Sequence, residues 1–234
     1  MYNLPGGISL VNVAVNGLGR IGRLALKSLL KKDGINIVAV NVPRNVESVL
    51  FLLKHDSVHT HCNMDYAFDK AANELTLNGQ KIKVLSERDP EKLPWKELNV
   101  DLVVEATGKF RTQEEASKHI TAGAKKVVIT APGKGVDATI VLGVNENIYE
   151  PENHHVVSNA SCTTNCLAPI VKVLQEKFGI KNGFMTTIHA YTGDQRILDG
   201  SHKDFRRSRA AAMSIIPTTT GAAKNVGIVL PEVD

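Results

Sequence analysis

The segment LVNVAVNGLGRIGRLALKSLLKKDG (residues 10–34) constrains the fold more than any other. A buried-strand run, LVNVAVNG, ends in Gly17, Gly19 and Gly22 at G-x-G-x-x-G spacing. RIGRLALKSLLKKD then repeats apolar residues at helical intervals, and Gly34 stands where a C-terminal cap is expected. INIVAVN follows as a second strand and VESVLFLLKH as a second helix, an order that predicts a parallel sheet. Glycine-rich turns also arise for purely conformational reasons. Here the turn closes a strand and opens a helix, the context a dinucleotide-binding motif requires. Gly17 allows the tight turn, Gly19 lets the backbone approach a pyrophosphate, and Gly22 lets helix and strand pack closely. Ile21 lies in the same turn and is assigned with it to the cofactor. The helix N-terminus presents free N–H groups and a partial positive charge to phosphates.

One part of the motif differs. An acidic residue that bonds the ribose hydroxyls is expected about twenty residues after the last glycine. That place reads Asn41-Val42-Pro43-Arg44. Val42 accepts no hydrogen bond, whereas Arg44 is suited to pair with a 2′-phosphate, its bland alternative being a solvated loop residue. The expected cofactor is NAD, with NADP left open.

With 234 residues the chain can bury one large core or two smaller ones. Its 28 basic and 24 acidic residues leave a net charge of +4, which suits anionic small molecules and does not argue for nucleic acid as the primary partner. The start, MYNLPGGISL, lacks a basic region followed by an apolar one, so no secretory leader is expected. Apolar runs such as IVAV and VGIVL are too short to span a bilayer, and no membrane partner is expected. Cys62, Cys162 and Cys166 cannot form a disulfide framework, which points to a reducing compartment, most simply the cytoplasm.

Further along, FDKAANELTLNGQKIKVL alternates apolar and polar residues around Asn78-Gly79, a strong hairpin signal. VDLVVEATG predicts a buried strand, followed by a helix from Thr112 to about Ala122. KKVVITAP, ATIVLGV and HHVVSNAS predict further strands, LAPIVKVLQEKFG a helix, GFMTTIHAYT a strand and SRAAAMSII a helical segment.

The stretch SNASCTTNCLAP (158–169) sets Cys162 among hydroxyl and amide side chains, with Cys166 four residues on. No second Cys/His pair lies nearby at zinc-finger spacing, and His154 and His155 point to opposite faces of a strand, so no metal is expected. A redox pair is more usually C-x-x-C. Cys166, one helical turn beyond Cys162, is expected to be a buried structural thiol. A cysteine opening a helix feels the dipole and the free N–H groups, which favour thiolate and hence a nucleophile. Its base must come from elsewhere in the chain, and His189 in TTIHAYT is the best candidate over a satisfied core histidine.

SNASCTTNCLAP, with HAYTGDQ and SRAAAMSIIPTTTGAAK after it and NGLGRIGR before it, closely resembles phosphorylating glyceraldehyde-3-phosphate dehydrogenase over essentially the whole chain. The resemblance implies an α/β chain: an N-terminal Rossmann-type domain (1–160) and part of an α+β catalytic domain with a largely antiparallel sheet (161–234). It implies a homotetramer acting on a triose phosphate and inorganic phosphate. Cys162 matches the nucleophile and His189 the base. Ser161, Thr163, Thr220 and Gly221 match the inorganic-phosphate site. Thr192, Asp194 and Arg207 match the site for the substrate's own phosphate. Thr107 and Gly108 match residues lining the cofactor cleft, Arg20 one facing the pyrophosphate, and Asn41 the residue before the usual acid.

This chain departs from the family at Val42, and in ending near VGIVLPE where the family continues for further catalytic-domain strands. The alternatives are a catalytically impaired fragment, a non-enzymatic interaction protein retaining the motifs, or an erythrose-4-phosphate dehydrogenase. PTTTGAAK looks more like the triose-phosphate enzyme.

Overall fold

A computed structural model describes residues 10–61 and 64–233. The chain divides into two compact units, Met1–Ser161 and Cys162–Asp234. The first begins with β1 (Val11–Asn16), α1 (Arg20–Leu29), β2 (Ile35–Asn41) and α2 (Val46–Lys54). A short ladder of β3 (His55–Asp56) and β4 (Thr60–His61) comes next, then β5 (Tyr66–Asp69), β6 (Glu74–Leu77) and β7 (Gln80–Leu85). β8 (Leu102–Glu105), α3 (Gln113–Thr121), β9 (Lys126–Ile129), β10 (Ala138–Thr139) and β11 (Val156–Ser158) complete it.

Nine strands form one sheet in the order β10-β11-β9-β8-β1-β2-β7-β6-β5. Pairing is parallel from β10 to β7 and antiparallel only between β7, β6 and β5. The chain runs outward from β1 to β2 on one side and returns to β8 on the other. The ends of β1 and β8 are therefore a switch point, where open α/β sheets bind ligands.

Both faces of the sheet are buried along its central strands β1, β2 and β8. Val13 and Val15 of β1 pack with Ile37, Leu26, Leu50 and Leu53, while Ala14 packs with Trp95, Val103, Ala116 and Val127 on the other side. That two-sided burial is why β1 and β8 read as nearly continuous apolar runs.

Local chemistry fixes the element ends. The hairpin turn holds Asn78 at φ 48° and Gly79 at φ 80°, the left-handed pair a two-residue connection demands. Thr112 caps α3 in a reciprocal capping box with Glu115, as the helix expected from Thr112 requires. α1, by contrast, is capped at Leu30, and Gly34 (φ 76°) instead turns the chain into β2. In ATIVLGV only Ala138–Thr139 pairs. The Asn145 side chain accepts from Val141 N at 2.9 Å and donates to Thr139 O at 2.9 Å, replacing a ladder with a turn.

The second unit holds α4 (Cys162–Phe178) and α5 (Ala222–Val229). GFMTTIHAYT, expected as a strand, pairs with nothing among the described residues, and Phe184 and Ile188 are exposed. A strand exists only with a neighbour to take its N–H and C=O groups, and alternation alone supplies none. SRAAAMSII is not helical either. Asp204 caps a 3₁₀ turn over Phe205–Ser208, and Ala211 N then bonds Arg196 O at 2.8 Å, folding the chain back.

A Cβ on Gly22 would sit 1.9 Å from the Gly17 carbonyl oxygen, whereas one on Gly19 would meet nothing within 4 Å. Gly22→Ala is therefore expected to destabilise the protein by about 1–3 kcal/mol, the usual cost of overpacking. Gly19→Ala should leave stability within about 0.5 kcal/mol or raise it slightly. Urea unfolding of both variants checks this, and equal losses would contradict the close approach.

Candidate active site

The glycine turn opens directly onto α1. Gly17 sits at φ 93°, and a Cβ there would lie 2.9 Å from Thr107 Cγ2, so turn and β8 loop are in van der Waals contact. The first turn of α1 carries no acidic residue, and helix geometry leaves its first amides without intrahelical acceptors. Arg23, buried below the turn, donates from Nη1 to Leu18 O at 3.1 Å and holds the loop in place. Open space over Gly19 and an uncompensated helix N-terminus fit a pyrophosphate.

The neighbours assigned to the cofactor divide into two kinds. Ile21 is exposed, Arg44 is exposed with no side-chain partner among the described residues, and Gly108 (φ 72°) follows Thr107. Arg20, in contrast, donates from Nη1 to both oxygens of Asp56 at 3.1 and 3.2 Å, with Nη2 2.9 Å from His59 Nδ1. Backbone amides of His59 and Val58, and then Arg20, hold the Asp56 carboxyl far below the usual carboxylate range. Val42 is 3% exposed and part of the core, and its side chain offers no hydrogen-bond acceptor. Asn41 is also buried. Its Nδ2 donates to Asn16 Oδ1 at 2.7 Å and Glu87 O at 2.8 Å, and its Oδ1 accepts from Glu87 N at 2.9 Å, so its amide ties β2 to the chain after β7.

Beneath the turn lies a polar set that sequence reasoning missed. Trp95 Nε1 donates to His119 Nδ1 at 2.9 Å, and His119 Nε2 lies 3.1 Å from Glu105 Oε2. Asn16 Nδ2 donates to the same oxygen at 2.5 Å. Thr107 N donates to Glu105 Oε1 at 2.8 Å, and the Thr107 hydroxyl makes a short bond to that oxygen. Trp95 and His119 are fully buried and Glu105 is 1% exposed. The sequence signal available was a charged residue, Glu105, at the end of an otherwise apolar strand.

In the second unit, Cys162 is the first residue of α4, a 17-residue helix with no acid in its first turn. Its Sγ lies 3.3 Å from His189 Nε2, and His189 Nδ1 lies 2.6 Å from Ala190 O. The carbonyl can only accept, so Nδ1 carries a proton and Nε2 faces the sulfur. Partial burial raises the thiol pKa, but hydrogen bonds from His189 and Thr163 outweigh it, and the net shift is downward. The Ala190 carbonyl, and then Cys162 itself, raise the imidazole. Both shifts favour a thiolate beside an imidazolium.

Cys166 is exposed, not the buried thiol expected. α4 buries Thr164 and Ala168, and residues 162 and 166 share a different stripe of the helix. Cys62 lies outside the described residues.

A second cluster surrounds Arg207. Its Nη1 donates to Asp194 Oδ2 at 2.5 Å and its Nη2 to Thr218 Oγ1 at 2.8 Å. Asp194 N donates to Thr192 Oγ1 at 3.3 Å, and His202 Nε2 lies 3.4 Å from Asp194 Oδ1. Thr192, Asp194 and Arg207 thus stand together. Thr220 Oγ1 accepts from Ala222 N at 3.2 Å, and Gly221 caps α5. Ser161 is half-buried beside Cys162 in sequence. Among the described residues no group of three or more His, Cys, Asp or Glu is placed to hold a metal, and no helix is long and apolar enough to cross a membrane.

Comparison with known proteins places these features in one family. Residues 11–113 match "Glyceraldehyde 3-phosphate dehydrogenase, NAD binding domain", and residues 161–234 match "Glyceraldehyde 3-phosphate dehydrogenase, C-terminal domain". The chain is 58% identical over 222 residues to glyceraldehyde-3-phosphate dehydrogenase of Geobacillus stearothermophilus, covering 95% of this chain and 66% of that protein. It is 53% identical to glyceraldehyde-3-phosphate dehydrogenase 2 of Bacillus subtilis (strain 168), over 94% of this chain and 64% of that protein. To the Streptomyces coelicolor enzyme it is 54% identical, again over 95% and 66%. The chain spans just under two thirds of the length of these relatives.

Alkylation by limiting iodoacetamide should therefore fall mainly on Cys162, and its rate should rise at a lower pH than for an ordinary thiol. Replacing His189 with Asn removes a cause of the lowered pKa, so the curve should move up in pH and the rate at neutral pH fall. Peptide mass mapping across a pH series reads both. Predominant labelling of Cys166 or Cys62, or a curve indifferent to His189, would break the pair.

Proposed function

The chain belongs to the glyceraldehyde-3-phosphate dehydrogenase family, and from that premise we propose that it oxidises and phosphorylates glyceraldehyde 3-phosphate to 1,3-bisphosphoglycerate. The observation that carries the proposal is the 3.3 Å approach of Cys162 Sγ to His189 Nε2 at the start of α4. It also counts against the non-enzymatic alternative, which needs neither side chain.

The Cys162 thiolate adds to the aldehyde carbon while the imidazolium gives its Nε2 proton to the developing alkoxide, leaving a hemithioacetal. Neutral His189 then takes the hydroxyl proton back as the carbon–hydrogen bond breaks. Bound NAD supplies the acceptor for the departing hydride. What remains on the protein is a thioester at Cys162, which conserves the oxidation energy. Phosphate attacks it, the carbon–sulfur bond breaks, and the thiolate is regenerated as the acyl phosphate leaves.

The anion sites follow from the family match, and Arg207 supplies the positive charge in one of them. Thr192, Asp194 and Arg207 are proposed to hold the substrate's phosphate, with the Arg207 fork moving from Asp194 to share its donors. Ser161, Thr163, Thr220 and Gly221 are proposed for inorganic phosphate. Gly17, Gly19, Arg20, Ile21, Gly22, Thr107 and Gly108 are proposed to surround the cofactor. Asn41 contributes by bracing that edge, and the exposed Arg44 suits a 2′-phosphate if NADP is used. A cytoplasmic homotetramer is the assembly this reading expects.

His189→Asn should lower kcat by roughly 10²–10⁴, the range for loss of a general base. Arg207→Ala should raise KM for glyceraldehyde 3-phosphate about 10-fold to 100-fold, as for one lost charge-assisted bond, and leave unphosphorylated glyceraldehyde nearly unaffected. Steady-state kinetics with both aldehydes tests the two roles. Equal effects of Arg207→Ala on both substrates would remove the arginine from phosphate recognition.

A further inference from the structure

The buried set below the glycine turn contains two chains of donors that both end on one side chain. An indole N–H can only donate, so Trp95 forces His119 Nδ1 to accept and leaves the ring proton on Nε2. That proton points to Glu105 Oε2 at 3.1 Å. Asn41 Nδ2 donates to Asn16 Oδ1, which orients the Asn16 amide so that its Nδ2 also meets Oε2. The remaining oxygen, Oε1, takes both the amide and the hydroxyl of Thr107. Glu105 therefore ends two chains of donors, one from α3 and Trp95 and one from β2 and β1.

The set sits at the C-terminal ends of β2, β1 and β8, at the switch point of the sheet. Thr107 in turn lies against Gly17, where a Cβ would meet its Cγ2 at 2.9 Å. Nothing softer than a direct hydrogen bond or van der Waals contact separates Trp95 from the dinucleotide turn.

We propose that Glu105 is a positioning residue for the dinucleotide: held by His119 and Asn16, it fixes Thr107 against Gly17 and so sets the shape of the cofactor cleft. The inference rests on the dinucleotide reading of the turn. Glu105 does not touch the cofactor, and acts only through Thr107. His119 and Trp95 act through Glu105 by fixing the direction of its donors.

The test uses the full chain with Glu105→Gln, His119→Leu, His119→Gln and Trp95→Phe. Three quantities are read: the Kd for NAD by calorimetric titration, hydrogen exchange at the Thr107 amide, and the thermal midpoint. Glu105→Gln turns an acceptor into an N–H group facing fixed donors. NAD binding should weaken roughly 10-fold to 100-fold, the loss expected for a charge-assisted bond, and Thr107 exchange should quicken. His119→Leu keeps the bulk but loses the donor, and should behave alike. His119→Gln restores an N–H toward Glu105 and an acceptor toward Trp95, and should bind within about threefold of the original, since roughly 1.4 kcal/mol is needed for tenfold.

Trp95→Phe frees the imidazole to place its proton on Nδ1, so it should fall between the two histidine variants. Should His119→Leu not fold, Trp95→Phe against His119→Gln carries the same comparison. Equal affinity and equal Thr107 exchange in His119→Leu and His119→Gln, at whatever thermal midpoint, would reduce the set to packing and overturn the proposal. If the unaltered protein binds no NAD, the dinucleotide reading fails, and Thr107 exchange alone decides whether Glu105 positions that loop.

Discussion

A buried carboxylate is the constraint on which the first unit turns. Glu105, at the end of β8, takes hydrogen bonds from Asn16, His119 and both donors of Thr107. Desolvating such a group costs several kcal/mol, and only a complete set of donors offsets that cost. The donors come from β1, α3 and the loop after β8, so those pieces must meet in one arrangement. Asn41 extends the same order to β2 and to Glu87. The glycine turn rests on this platform, and its own tight contact between Gly22 and Gly17 leaves no room for adjustment.

The second unit solves a different electrostatic problem. A thiol must ionise readily and yet remain beside its base. The position of Cys162 at the start of α4, the contact with His189 and the hydroxyl of Thr163 all favour the thiolate, against burial, which opposes it. The Ala190 carbonyl orients the imidazole in turn. Arg207 is kept in place by Asp194 and Thr218, a geometry in which its donors are already gathered before an anion arrives.

Local patterns were legible in the sequence, and distant pairings were not. Asn78-Gly79, the Thr112 cap and the G-x-G-x-x-G turn each encode a backbone conformation within a few residues, and each forms as expected. Cys162 and His189 were found because their chemistry needs a partner, not because spacing joined them. Of the buried polar set only Glu105 carries a sign, a charge closing an apolar strand; His119, Asn16 and Trp95 carry none, since single residues far apart in the chain have no period. GFMTTIHAYT shows the opposite failure: an apolar run reads as a strand, but strands are decided by neighbours. Cys166 was misplaced because α4 buries the stripe of Thr164 and Ala168. Val42, standing where an acid is expected, packs into the core.

The most direct measurement is intact-mass and peptide analysis of the protein incubated with glyceraldehyde 3-phosphate and NAD in the absence of phosphate. With no acceptor for the acyl group, a thioester should accumulate on Cys162, should require NAD, and should disappear when phosphate is added. An acyl adduct on another residue, or NAD reduction with Cys162 never acylated, would contradict the account.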